Sequence, residues 1–220
     1  MSKAKIKAKT AAKTAAKTIA KADRDVTHDV ARHRDSVPMR FAGFLGEVAD
    51  QPQLITASVS TIAAGVLGRR PDLIRGGARM LAAHLVATAA KSLVKHSIDR
   101  ARPEKALRDG KTRFQRGDSD NHELNSFPSG HTAGAVAVAR AATREFDGAA
   151  APAAIGVGTI AAIQPAAGNH YLSDVIVGGV IGWVAEALVD AAFERFVPNG
   201  WTREHVENGH TSPEILPSAY

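Results

Sequence analysis

Residues 148–173 carry no formally charged side chain, and a second uncharged stretch covers residues 51–68. Further apolar stretches lie at residues 80–90, 132–142 and 175–193. Aromatic residues make up only 5% of the sequence while alanine and glycine are plentiful, a composition that favours closely packed helices over strands. We therefore expect an all-α fold, a bundle of about five to six helices.

The uncharged length of these helices bears on whether they cross a bilayer. A spanning helix needs about 20 mostly apolar residues, and residues 148–173 supply that length, whereas Lys91, Arg140, Arg144 and Glu186 interrupt the other stretches. Charges that line an interior site are tolerated where they do not face lipid. We expect a multi-pass protein of a bacterial inner membrane, and the alternative is a soluble helical bundle.

The two ends of the chain differ in composition from its middle. Residues 3–21 carry seven lysines and no acidic residue. This segment is either a solvated tail or an anchor to anionic lipid, where each lysine near the surface contributes about 1 kcal/mol. We expect a basic tail and connecting segment at residues 1–40, one domain at residues 41–197 and a polar tail at residues 198–220.

Composition also limits the partners and the chemistry. The chain has no cysteine, which excludes a disulfide framework, a thiolate zinc site and a cysteine nucleophile. The formal net charge of +6 implies attraction to anionic partners: a phosphorylated lipid, a small-molecule phosphate or a membrane surface. Nucleic-acid binding is the weaker interpretation.

Two short segments carry groups that bind phosphate. Lys95 and Arg102 are seven residues apart, which is two helical turns, so we expect both cations on one helical face. Ser129, Gly130 and His131 stand where a polar loop enters a helix. The backbone N–H groups at a helix start point outward and bind phosphate oxygens.

A third segment pairs a histidine with a carboxylate. His170 and Asp174 are four residues apart, so we expect them to meet on one helical turn. The carboxylate can then fix the tautomer of the imidazole and support its positive charge. The polar loop before the second segment covers residues 101–127, and loops of this length are usually functional or disordered.

Together, in this order and at these spacings, the three segments resemble the signature of the type-2 phosphatidic-acid phosphatase (PAP2) superfamily: K-x6-RP, PSGH and SR-x5-H-x3-D. The resemblance covers residues 95–174. It implies a PAP2-like helical fold and a phosphatase that needs neither a metal nor a cofactor. In such an enzyme the phosphate would be held by Lys95, Arg102, Ser129 and the Gly130 amide. His170 would attack phosphorus, His131 would protonate the leaving alcohol, and Asp174 would orient His170. Water would then hydrolyse the phosphohistidine.

The third segment departs from that signature at its arginine. Counting back six residues from His170 places Gln164 at this position. Gln164 can donate a hydrogen bond to phosphate but brings no charge, and losing one such transition-state contact typically costs about 2.7–4 kcal/mol. Arg100 is a candidate substitute, although on a helix it would point away from Arg102.

Several functions stay open on these grounds. The leading one is hydrolysis of a phosphomonoester or diphosphate, with a lipid phosphate as the expected substrate. A vanadium-dependent haloperoxidase is an alternative, because those enzymes resemble the PAP2 superfamily and hold vanadate where phosphate sits. Another is a catalytically impaired membrane protein that acts through its basic tail. A serine hydrolase built on Ser129 is disfavoured, since the chain lacks the G-x-S-x-G elbow there.

Overall fold

The computed structural model describes residues 14, 18–26, 51–111 and 113–196, and residues 18–26 form a helical segment. The predictions for the polar tail at residues 198–220 and for most of the lysine-rich segment lie outside the described residues.

Helices dominate the described residues, which confirms the predicted all-α class. The α-helices between residues 51 and 196 are α1 Gln51–Leu67, α2 Pro71–Lys95, α3 Pro103–Asp109, α4 Gly130–Glu145, α5 Ala150–Ala166 and α6 Leu172–Phe196. Strands β1 (Ile98–Arg100) and β2 (Phe114–Arg116) form a two-stranded antiparallel sheet that was not predicted. The expected loop at residues 101–127 therefore contains α3, β2 and a 3-10 helix, His122–Leu124.

The core lies where α2, α4 and α6 meet. Its buried side chains are mostly small: Met80, Ala83, Ala87, Ala137, Val138, Ala141, Ala185 and Val189. Two glycines of α6 bring that helix close to α4, because a Cβ at Gly178 would lie 2.4 Å from the carbonyl oxygen of Ser129. A Cβ at Gly182 would lie 2.3 Å from that of Ala133. The N-terminal ends of α4 and α6 are therefore held side by side.

Most charged residues that interrupt the apolar stretches form ion pairs toward the C-terminal ends of α4 and α6. Arg79 is 2% exposed and donates a hydrogen bond to Asp190 at 2.6 Å. Glu186 is fully buried and accepts hydrogen bonds from Arg140 at 2.9 Å and Arg144 at 3.1 Å. These ion pairs join α2, α4 and α6, and they place charge inside the bundle where it can be balanced.

The candidate membrane-spanning helix is not the one expected from the sequence. Residues 148–173 are not one helix, because α5 ends at Ala166 and the chain turns at Gly168, whose φ of 71° is accessible to glycine. Among the described residues, α6 is the one helix that is both long enough and apolar enough to cross a bilayer. Its large side chains Ile176, Trp183 and Leu188 are more than half exposed. The assignment of residues 148–173 as the span is therefore wrong.

Candidate active site

The second predicted segment begins α4, as expected. Ser129 is the N-cap of this helix, and its hydroxyl accepts a hydrogen bond from the Thr132 amide at 3.4 Å. The Ser129 amide donates to the carbonyl of Asp174 at 3.0 Å, which ties the start of α4 to the start of α6. Gly130 and His131 then occupy the first turn, where backbone N–H groups lack helical partners.

The third segment has a more specific geometry than its spacing predicts. His170 precedes α6, and its Nδ1 lies 2.6 Å from the carbonyl oxygen of Ser126. A carbonyl oxygen only accepts hydrogen bonds, so Nδ1 carries the proton and the lone pair is on Nε2. The nearer carboxylate oxygen of Asp174 is 3.8 Å from Nδ1, beyond hydrogen-bond distance. The expected direct contact on one helical turn is therefore replaced by an arrangement through Ser126.

Ser126 was not identified from the sequence. Its hydroxyl donates a hydrogen bond to Oδ2 of Asp174 at 2.6 Å, and its carbonyl oxygen accepts a hydrogen bond from Nδ1–H of His170. The Tyr171 amide donates to the same Asp174 oxygen at 2.9 Å. Asp174 is thus fixed by several donors and positions the histidine indirectly.

The environment of His170 favours the neutral imidazole, and a second histidine lies beside it. Burial lowers the pKa of His170 below its usual value, and the nearby Asp174 carboxylate partly opposes this shift. The unprotonated form is the nucleophilic one. The ring centroids of His131 and His170 are 6.2 Å apart. The two histidines predicted as general acid and nucleophile are therefore neighbours.

Lys95 and Arg102 approach the site from different elements. Lys95 ends α2, and its Nζ donates to the Asn125 carbonyl at 3.2 Å. Arg102 is the extended residue before α3, and it donates to Oδ1 of Asn169, the neighbour of His170, at 3.3 Å. The prediction that both cations share a helical face is wrong, because α2 ends and β1 intervenes between them. Lys95 and Arg102 nevertheless both reach loops beside His131 and His170, through Asn125 and Asn169.

Comparison with known proteins shows the family and the fold of this chain. The model of the PAP2 superfamily matches residues 76–197, which is more than half of the chain. The chain belongs to the PAP2 superfamily. The crystal structure of LpxE from Aquifex aeolicus has a TM-score of 0.55 at 18% identity, covering 75% of this chain and 92% of LpxE. A transmembrane PAP2-type phosphatidylglycerolphosphate phosphatase from Bacillus subtilis has a TM-score of 0.56 at 17% identity, covering 81% of this chain and 88% of that one. At these identities the likeness shows a shared PAP2 fold. A search of curated protein sequences gives no significant match.

Gln164, predicted from the spacing to stand where the PAP2 signature has arginine, is buried beside His170. The residue is 1% exposed, and its backbone carbonyl accepts from the His170 amide at 3.3 Å. Within the described part of the chain, its side-chain oxygen has no hydrogen-bond partner. Buried polar atoms of this kind are rare and costly, so a bound group is a reasonable partner for this one.

Arg100 does not take the role considered for it in this PAP2 site. It donates hydrogen bonds to Asp174, to the hydroxyl of Ser173 at 2.7 Å and to Asp23 at 2.6 Å. Its guanidinium also stacks over Tyr171 at 4.0 Å from the ring centroid. Arg100 is therefore engaged with the carboxylates of Asp174 and Asp23.

The catalytic efficiency of the site, kcat/KM, should fall in alkaline solution. Burial and the positive charges of Lys91 and Arg102 lower the pKa of Lys95 to about 8, and Asp174 opposes the shift. The charged form therefore exists below pH 8 and is lost as the pH rises through this value. We expect kcat/KM for a phosphate substrate to fall above about pH 8, since kcat/KM reports groups of the free enzyme.

Lys95→Arg is the matched variant for this prediction, because a guanidinium stays charged throughout the range. Its alkaline limb should move beyond that of the wild type. An identical alkaline limb in both proteins would assign the inflection to another group.

Proposed function

We propose that this chain is a PAP2-type phosphatase that hydrolyses a phosphomonoester or diphosphate of a lipid through a phosphohistidine at His170. The observation that carries the proposal is the buried His170, with its Nδ1 proton held by the Ser126 carbonyl and Nε2 left as a nucleophile. His131 lies beside it, and Lys95 and Arg102 approach the same loops.

The proposed reaction has two steps. Lys95, Arg102 and the amide of Gly130 hold the phosphate oxygens, with Ser129 shaping the start of α4 around them. Nε2 of His170 forms a bond to phosphorus as the bond to the leaving oxygen breaks, and His131 gives that oxygen a proton. His131 then accepts a proton from water, whose oxygen bonds to phosphorus and displaces His170. Positioning and positive charge supply most of the catalysis in such transfers.

The proposed substrate is a lipid because the site lies at the end of an exposed apolar helix. Asp174 belongs to the first turn of α6, whose outward side chains include Trp183 and Leu188. Exposed apolar faces of this extent mark contacts with a membrane or a partner. The likeness to a transmembrane PAP2-type phosphatase supports a membrane location, and we propose that the chain is a multi-pass protein of a bacterial inner membrane. The lysine-rich segment is proposed to contact anionic lipid.

A fractionation experiment tests this location. We expect the full chain to enter the membrane fraction and to stay there after a high-salt wash, because burial of apolar α6 is not screened by salt. A peripheral protein held by its lysines would be released instead. Recovery of the chain in the soluble fraction would favour the soluble helical bundle.

The proposed activity is tested by phosphate release from a panel of lipid phosphates, lipid diphosphates and soluble phosphates, with His170→Ala as the blank. We expect turnover of at least one lipid substrate, and we expect it to persist in excess EDTA because side chains supply the positive charge. Loss of activity in EDTA would contradict the proposed chemistry. Vanadate should inhibit this phosphatase, whereas vanadate-dependent oxidation of a halide would favour the haloperoxidase alternative.

A further inference from the structure

Lys91 lies outside the signature segments but inside the site they form. It stands one helical turn before Lys95 on α2, so both ammonium groups extend from the same side of that helix. A Cβ at Gly130 would lie 3.0 Å from Nζ of Lys91. The Lys91 ammonium is therefore packed against the first residue of α4. Its charge also contributes to the lowered pKa of Lys95, which agrees with this proximity.

This clustering of cations favours the binding of an anion. Lys91 and Arg102 both act on Lys95, and like charges at short range disfavour each other. Asp174, the carboxylate that acts on Lys95, already accepts hydrogen bonds from Arg100 and Ser126. A dianionic phosphate at the N-terminus of α4 would relieve the repulsion and could accept a hydrogen bond from the Gly130 amide in the first turn.

We propose that Lys91 binds the substrate phosphate at the Gly130 amide and supplies the positive charge that Gln164 does not. The proposal rests on the phosphatase function proposed above and names a further substrate-binding residue for it. An ammonium differs from a guanidinium in being a compact point charge, so the exchange keeps the charge but not the bidentate geometry.

The first test compares Lys91→Met with Lys111→Met, which removes an exposed lysine and serves as the control for net charge. We expect Lys91→Met to lower kcat/KM by about 10²-fold, as for loss of one charged transition-state donor. Lys91→Arg should retain most of the activity. Equal activity of Lys91→Met and the wild type would overturn the proposal, and so would an equal loss in Lys111→Met.

The second test exchanges the two positions. Gln164→Arg should restore activity in the Lys91→Met background and should add much less to the wild type, because one charge is then already present. If the effects of the two substitutions on kcat/KM simply multiplied in the double variant, the idea that Lys91 replaces the charge missing at Gln164 would be contradicted.

Calorimetric binding of inorganic phosphate separates this proposal from the phosphatase function. Wild-type binding that is lost in Lys91→Met supports the role of Lys91 even if no substrate is hydrolysed. Turnover by the wild type with phosphate binding unchanged in Lys91→Met would overturn the role of Lys91 and leave the phosphatase function intact. Absence of phosphate binding by the wild-type chain would also overturn the proposed role of Lys91.

A separate observation concerns Asp23, which lies in the helical segment 18–26 and outside the PAP2 match. Its carboxylate is 3% exposed and accepts hydrogen bonds from Arg100 at 2.6 Å and from the amide and hydroxyl of Ser173 at 3.0 and 2.7 Å. Arg100 also binds Asp174. The guanidinium is thus shared between two carboxylates, one of which serves the nucleophile.

We infer that Asp23 is a positioning residue that shares the charge of Arg100 with Asp174 and leaves that carboxylate able to support positive charge on His170. This inference also rests on the phosphatase function. In Asp23→Asn the full charge of Arg100 would act on Asp174. With Lys95 and Arg102 also facing His170, the protonated imidazole should become harder to form.

The test compares Asp23→Asn with Asp25→Asn, an exposed neighbour in the same segment. We expect Asp23→Asn alone to lower kcat/KM and to shift the acid limb of its pH profile to lower pH. An NMR titration of His170 should show the same direction even if no substrate is turned over. An unshifted titration in Asp23→Asn, or equal shifts in both variants, would overturn the inference.

Discussion

Replacing His170 by Ala is expected to reduce phosphate release by a factor on the order of 10⁴ or more, since removal of the attacking group from an enzyme with a covalent intermediate costs this much. The reason lies in the geometry of this residue. Its Nδ1 proton is held by the Ser126 carbonyl at 2.6 Å, so Nε2 is the atom available for attack. Initial rates of phosphate release from the best substrate of the panel measure the effect.

A second variant separates chemistry from folding. His170→Asn keeps an N–H group that can reach the Ser126 carbonyl but has no nucleophilic nitrogen, so it should be as inactive as His170→Ala. His96→Ala is the control, because His96 is an exposed histidine paired with Asp118 and should retain activity. Substantial turnover by His170→Asn would show that another group attacks phosphorus.

Replacing His131 by Ala should give a loss that depends on the leaving group. Proton donation by a positioned side chain contributes about 10²–10⁴-fold, and an alkyl alcohol needs that proton far more than a nitrophenol does. His131 lies beside His170 with ring centroids 6.2 Å apart, where it can serve the leaving oxygen. We expect a large loss with an alkyl phosphate and a small loss in the phosphorylation step with p-nitrophenyl phosphate.

The measurement is a stopped-flow record of nitrophenol release by His131→Ala. A rapid burst followed by slow turnover is expected, because phosphohistidine forms without an acid but its hydrolysis lacks the base. Equal losses for alkyl and nitrophenyl substrates would contradict the assignment of His131 as the general acid.

The parts of this fold that follow from local sequence were predictable. Uncharged, alanine-rich stretches gave the helices, and the Ser129–Gly130 pair marked the start of α4 because an N-cap is a local feature. The span at residues 148–173 was misplaced because absence of charge does not show where a helix ends. The turn at Gly168 depends on a left-handed backbone conformation that composition does not encode.

The parts of the site that depend on tertiary packing were not predictable. Ser126 meets Asp174 across 48 residues, and Asp23 meets Ser173 across 150 residues. Lys91 shares a helical face with Lys95, but only the packing of α2 against α4 places its ammonium beside Gly130. The spacing of Lys95 and Arg102 suggested a shared helix, whereas a strand separates them. In each case the sequence identified residue types, and chain folding decided their partners.

The central claim is that His170 carries the phosphoryl group. Rapid acid-free quenching of the full chain during turnover, followed by peptide mass spectrometry, measures this directly. We expect a phosphate on His170 that is stable to alkali and labile to acid, and we expect it to accumulate in His131→Ala. Turnover without any phosphorylated His170, or with phosphate on Ser129 instead, would contradict the account.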